Sequence, residues 1–272
     1  MICQTCFRHC QLEEGQIGFC RARKNQSGQI VCCNYGYLTA MAIDPIEKKP
    51  LAMFHPGSTI LSIGSYGCNL DCPFCQNYTI SRQDNAAQAT FVLPEQILQI
   101  AKNHKEDRMI GVAYTYNEML CSWEYIRDCA KLIHEAGMLN VLVTNGTASQ
   151  MVLDAILPYM DAINIDLKSF DAKTYDSILH GNLEQTMAFI ERAVQSCHIE
   201  ITTLVVPGMN DRESEIDAMT QWIASLNPDI PYHLTRYFPR YHMDTPATNI
   251  STLYRLKDIA KTHLHHVFLG NV

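Results

Sequence analysis

The chain has 272 residues, enough for one large domain or one domain with a small appendage, and its 47% hydrophobic content suffices for a packed core. A net charge of −7 and a pI near 5.8 weigh against nucleic acid as a partner. No apolar run reaches the ~20 residues that span a bilayer, the N-terminus Met1-Ile2-Cys3-Gln4-Thr5-Cys6 lacks the regions of a signal peptide, and twelve cysteines in that context predict a reducing cytoplasm where thiols serve metals or catalysis.

In chain order, residues 1–55 are cysteine-rich, with glycine turns at Glu14-Gly15-Gln16 and Ser27-Gly28-Gln29, and read as an appendage. Cys3, Cys6, Cys10 and Cys20 form C-x2-C-x3-C-x9-C, four thiolates that can hold zinc or a second iron–sulfur cluster, with His9 as a spare ligand. The β-like run Ser58–Gly64 follows, and then Cys68-Asn69-Leu70-Asp71-Cys72-Pro73-Phe74-Cys75. Three thiolates on one tight loop can hold three corners of an iron–sulfur cube that normally takes four, leaving one iron open to a small molecule. Zinc is the alternative, but it wants a fourth ligand, and the next cysteine, Cys121, stands alone. Gln83–Gln88 reads as a loose connection.

From there strand-like and helix-like segments alternate. Strands are predicted at Met109–Tyr116, Leu139–Thr144, Ala162–Leu167, Ile199–Val206, Tyr232–Phe238 and His266–Leu269. Helices are predicted at Pro94–His104, Glu118–Ala136, Ser149–Met160, Leu183–Ser196, Glu213–Leu226 and Leu253–His263. Pro94 suits a first helical turn and Gly137 a helix end. Six to seven such units imply an α/β fold, a parallel sheet with helices outside, and chemistry at the C-terminal ends of the strands. Those ends carry Asn117 and Glu118, Thr144 and Asn145, and Asp166 and Lys168, the last two sharing a face with Asn164. Each set has a plainer reading: helix capping by Asn117, an ordinary turn at Asn145-Gly146, and a buried Asp166–Lys168 ion pair. Val205–Pro207 offers an apolar wall, and His233, Thr235 and Tyr237 share a strand face.

The cysteine loop, with Phe74 before its last cysteine and Asn77 soon after, resembles the motif of the radical S-adenosylmethionine (SAM) superfamily. The resemblance implies an incomplete (β/α)6 TIM-like barrel over residues 56–272, with the cysteine-rich appendage before it. It further implies a [4Fe–4S] cluster on Cys68, Cys72 and Cys75, with SAM bound among Asn117, Glu118, Thr144, Asn145 and Asp166. Reductive cleavage of SAM would give a 5′-deoxyadenosyl radical that abstracts hydrogen, with Lys168 facing the substrate as the catalytic candidate. Asp44–Leu51 (DPIEKKPL), TYNE, VTNG, NIDLKSF and VVPGMND together look like the AmmeMemoRadiSam-system proteins, kin of the glycyl-radical-enzyme activases. That kinship implies a protein or peptide substrate and an electron donor such as flavodoxin or ferredoxin. The alternatives are another peptide or small-molecule substrate, or a metal or electron-transfer module without catalysis.

Overall fold

A computed structural model of the chain describes residues 1–81, 88–104 and 108–272. Most of the connection expected to be loose, Gln83–Gln88, therefore lies outside the described residues. The N-terminal segment forms an antiparallel hairpin of β1 (Arg23–Gln26) and β2 (Gln29–Cys32), turned by Ser27-Gly28. Next come β3 (Tyr37–Leu38), β4 (Ala40–Pro45) and β5 (Thr59–Gly64). After the cysteine loop and a turn of helix, α1 (Tyr78–Ser81), the short β6 (Thr90–Phe91) pairs with β3.

The alternation expected from the sequence then unfolds: α2 (Pro94–Asn103), β7 (Met109–Tyr114), α3 (Trp123–Glu135), β8 (Leu139–Thr144), α4 (Gln150–Ile156), β9 (Ala162–Asp166), α5 (Ala172–Ser177), α6 (Leu183–Ala193), β10 (His198–Val205), α7 (Glu213–Leu226), β11 (Tyr232–Arg236), α8 (Ile250–Ala260) and β12 (Val267–Gly270). One eight-stranded sheet runs β12-β11-β10-β9-β8-β7-β5-β4. All its pairings are parallel except β4 with β5. Strands β4 and β12 are its two edges, so the barrel is open on one side. This is the incomplete α/β barrel expected from the sequence, with one antiparallel strand added at the edge.

Local chemistry sets these boundaries. Pro94 occupies the first turn of α2 and Gly137 takes a positive φ of 70° just past α3. Asp171, Asn182 and Asn249 cap α5, α6 and α8 by accepting backbone N–H groups. The helix expected from Glu118 starts later. Glu118 accepts the Leu120 N–H instead, and a 3-10 turn over Met119–Ser122 precedes α3. Gly111 is required where β7 meets β8, since a Cβ there would lie 1.8 Å from the Leu139 carbonyl oxygen.

Outward residues such as Ile163, Ile165, Ile201 and Leu234 join the helices in the main core. The floor of the barrel is a second apolar cluster. Ile46 and Leu51, from the strap that follows β4, pack fully buried against Ile60, Ala113, Val141 and Ala162. Polar contacts fix the strap as well: Asn164 Nδ2 donates to the Pro50 carbonyl (2.8 Å), and Glu200 accepts the N–H groups of Ala52 (2.9 Å) and Met53 (2.8 Å). No helix among the described residues is long and apolar enough to cross a membrane.

Candidate functional site

A cavity of about 890 Å³ opens over the strand ends and reaches down into the barrel. Cys68, Cys72 and Cys75 border it, as do Asn117, Glu118, Thr144, Asn145, Asp166 and Lys168. The structure thus brings together all nine residues that the strand ends and the cysteine loop offered.

The cysteine loop is held mainly by backbone and amide contacts, with Cys75 Sγ also 3.3 Å from Ser81 Oγ. Asn117 clamps its start: Oδ1 accepts Ser65 N–H (2.9 Å) and Nδ2 donates to the Gly67 carbonyl (2.8 Å). Asn69 donates to Thr147 Oγ1 (2.8 Å) and accepts from Asn145 Nδ2 (2.9 Å), which also lies 4.0 Å from Cys68 Sγ. Asp71 N–H donates to the Leu179 carbonyl (3.0 Å) and Asn77 Nδ2 to the Tyr116 carbonyl (2.5 Å). Replacing Asn145 by alanine removes both the bond to Asn69 and the acceptor of Thr147 (2.6 Å). We expect a loss of about 1–3 kcal/mol in thermal or urea unfolding, and less iron bound per chain after anaerobic reconstitution with iron and sulfide.

Glu118 is buried, and its carboxylate is saturated by Thr144 Oγ1 (2.9 Å), Asn145 N–H (2.8 Å) and Leu120 N–H (3.2 Å). Burial pushes its pKa up to about 7, against the pull of those bonds and with a small push from Asp166. Its geometry is that of a residue that fixes the ends of β7 and β8. Asp166 and Lys168 form an ion pair (Oδ2–Nζ 3.0 Å), with Asp166 the more exposed partner. Burial opposes the charge on Lys168, but Asp166 and the nearby Cys72 outweigh it and hold its pKa above the usual lysine value. Leu204, just before the VVPGMND run, lines the cavity, whereas Val205 lies in the main core and Val206 packs with Phe74 in a side cluster. Asn210 ties that run to the Lys168 carbonyl (2.6 Å). Of the three residues expected to share a strand face, His233 and Thr235 on β11 line the cavity, and Tyr237, past the end of β11, is buried in the side cluster.

The donor set suits a soft cluster. Cys68, Cys72 and Cys75 are free thiols at the cavity wall. Burial raises the pKa of Cys72 to about 11, and burial, Glu118 and the neighbouring thiols raise that of Cys68 further. A bound metal would hold these thiols as thiolates against that burial. Among the described residues no three His, Cys, Asp or Glu side chains converge as ligands of a single ion. Thiolates on a cube each bind a different iron and need no such convergence. At Cys3, Cys6, Cys10 and Cys20, read from the sequence as ligands of zinc or a second iron–sulfur cluster, the described residues likewise form no converged single-ion site. Their loop closes through a backbone bond from Cys3 N–H to the Cys10 carbonyl (2.9 Å), and Cys20 shares a thiol hydrogen bond with Cys121, in one buried cluster. That bond holds the Cys20 pKa down. Cys129 and Cys121 are both buried core residues, Cys121 in this thiol pair.

The appendage covers the loop from above. Phe7 N–H donates to the Thr147 carbonyl (3.3 Å), and Arg8 donates to the carbonyls of Asn69 (2.6 Å) and His180 (2.5 Å). Arg23 forms a two-pronged ion pair with Glu124 (2.6 Å each).

Sequence reasoning missed Glu200 and the Asp44–Lys49 pair. Glu200 Oε2 meets His233 Nε2 at 2.6 Å, and its Oε1 meets His198 Nε2 at 3.0 Å. A charged residue two places before Thr202, on the same strand face, was the available signal.

A model of the radical SAM superfamily matches residues 62–219. An uncharacterized protein of Methanocaldococcus jannaschii is 35% identical over 275 residues, covering 99% of this chain and 81% of that protein. A putative glycyl-radical enzyme activating enzyme from the same organism is 23% identical over 216 residues, covering 76% of this chain and 79% of that protein. Among solved structures, a domain of a pyruvate-formate lyase-activating enzyme from Bacteroides vulgatus superposes with a TM-score of 0.52 at 22% identity, covering 59% of this chain and 98% of that one.

Proposed function

This chain belongs to the radical SAM superfamily and is an enzyme, and on that premise we propose that it abstracts hydrogen from a protein or peptide, as an activating enzyme does. The observation that carries the reading is the placing of three free thiols on one clamped loop at the wall of a large cavity in a barrel left open between β4 and β12. Cys68, Cys72 and Cys75 would hold a [4Fe–4S] cluster. When bound, the cluster and SAM together supply a 5′-deoxyadenosyl radical. The protein's own contribution is positional. Asn117 and Asn69 fix the loop; Glu118 fixes Thr144 and Asn145, which face the SAM region; Asp166 offers a carboxylate oxygen beside the Lys168 ammonium. Lys168, whose charge acts on the Cys72 thiol, is the residue we assign to the substrate side. The putative activating-enzyme relative supports a glycine-bearing protein substrate, and the Asp44–Leu51 run supports the AmmeMemoRadiSam group. An external one-electron donor, flavodoxin or ferredoxin, would reduce the cluster from the cytoplasm.

The test is anaerobic reconstitution with iron and sulfide, then dithionite, SAM and a short peptide centred on glycine carrying two α-deuterons. We expect 5′-deoxyadenosine that has acquired deuterium. Cleavage of SAM without deuterium transfer would remove the glycine reading and favour the small-molecule alternative.

A further inference from the structure

The run Asp44-Pro45-Ile46-Glu47-Lys48-Lys49 enters the cavity, and nothing above uses its charges. Lys49 is only 3% exposed, with Nζ 2.8 Å from Asp44 Oδ2. Lys48, 67% exposed, reaches the other oxygen of the same carboxylate at 3.2 Å. The Tyr116 hydroxyl donates to Asp44 Oδ2 (2.8 Å), and its ring lies 4.9 Å from Lys49 Nζ. All four residues border the cavity. A desolvated lysine beside a second cation is the arrangement that frees an amine for attack on carbonyl carbon. Here burial, with Lys48 adding to it, lowers the Lys49 pKa in spite of Asp44. The cavity's other paired lysine, Lys168, differs: it is more exposed than Lys49, and its partner Asp166 keeps it charged.

We propose that Lys49 is a covalent docking residue, whose Nζ condenses with a small aldehyde or ketone in this cavity to form a Schiff base. The inference rests on the reading of the cavity as the place where substrate sits. The step balances without electrons. The Lys49 ammonium gives up one proton to solvent, since its own contacts hold the Asp44 carboxyl well below the usual carboxylate range, and the free amine attacks the carbonyl carbon, so that a C–N bond forms as the carbonyl π pair moves to oxygen. A second proton moves from nitrogen to that oxygen. A proton from solvent then reaches the departing hydroxyl, which leaves as water as the C=N bond forms. Ammonium plus carbonyl thus gives protonated imine plus water, and the ion pair with Asp44 is restored around the product. Tyr116, donating to the same carboxylate oxygen, holds Asp44 in line throughout.

The full-length chain, with no iron or SAM added, is incubated with pyruvate or with acetaldehyde and sodium cyanoborohydride, and the modified lysines are mapped by mass spectrometry. We expect reductive alkylation at Lys49 to exceed that at exposed Lys131 and Lys173 several-fold, because burial and Lys48 favour its free amine. Lys49→Arg keeps a cation on Asp44 and removes the reactive amine, so position 49 should go unlabelled in a folded protein. Labelling of wild-type Lys49 at or below the level of Lys131 and Lys173, or preferential labelling of Lys168, would overturn the proposal. Because the label needs neither cluster nor SAM, its failure leaves the radical SAM reading standing, and failure of SAM cleavage leaves the label to be scored.

Discussion

Replacing Cys72 by alanine should reduce 5′-deoxyadenosine formation to the level of the protein-free control. The loss should exceed the roughly 100-fold that an outer contact alone can cost a metal site, because a cube held at two corners leaves a second iron without a protein ligand. The variant should still fold. Cys72 is only half-buried, and the loop is secured by Asn69 to Thr147 and by Asp71 to the Leu179 carbonyl, bonds that the substitution leaves alone. Its one local loss is contact with the apolar side cluster around Phe74. The measurement is iron content together with product after anaerobic reconstitution. Unchanged unfolding with depleted iron and no product supports the assignment. Continued SAM cleavage by iron-free Cys72→Ala protein would end it.

The second large effect concerns stability. Glu200→Ala should cost about 3–5 kcal/mol in urea unfolding. Glu200 is completely buried and accepts from four donors: the N–H groups of Ala52 and Met53, and the imidazoles of His198 and His233. Its removal takes away the acceptor these four donors share and releases the strap. The same residue sets a pH dependence. Burial alone would raise its pKa, but the two histidines and the two backbone donors outweigh burial and hold it at about 2, below the ordinary 4.5. A depressed carboxyl pKa contributes stability in full above pH 4.5, and that contribution fades as pH falls from 4.5 toward 2. Wild type should therefore lose stability across this window faster than Glu200→Ala does. A variant within about 0.5 kcal/mol of wild type at neutral pH would show the floor to be held by its apolar contacts alone.

The parts of the fold that follow from local pattern were legible in the sequence. Apolar runs from Met109 to Leu269 became parallel strands, and Pro94 and Gly137 marked real helix ends. The cysteine spacing needed no partner elsewhere to be read. Pairings made across the barrel were not legible, because neither partner is unusual in its own neighbourhood. Asn117 reads locally as a helix cap, yet its amide is occupied by loop residues some fifty positions earlier. Cys20 suits a metal motif in its own segment, but its thiol partner Cys121 sits beyond β7. The N-terminal strands also escaped notice, since β1 is polar throughout and its hairpin depends on the turn at Ser27-Gly28. The six residues of α5 are too few for helical periodicity, although Asp171 supplied a cap.

The cover formed by Arg8 has a consequence for how the protein is made. Arg8 meets the carbonyl of His180, a residue 172 positions later, so this early segment must wait for 172 further residues before it can seat fully. At ordinary translation speeds that wait is on the order of 10–35 s. For roughly the last 5–20 s of it Cys68, Cys72 and Cys75 are already synthesised while the arginine that contacts their loop is still without its His180 partner. The nascent chain thus has an open period for taking on iron and sulfide, and it ends when the two ends of the architecture meet.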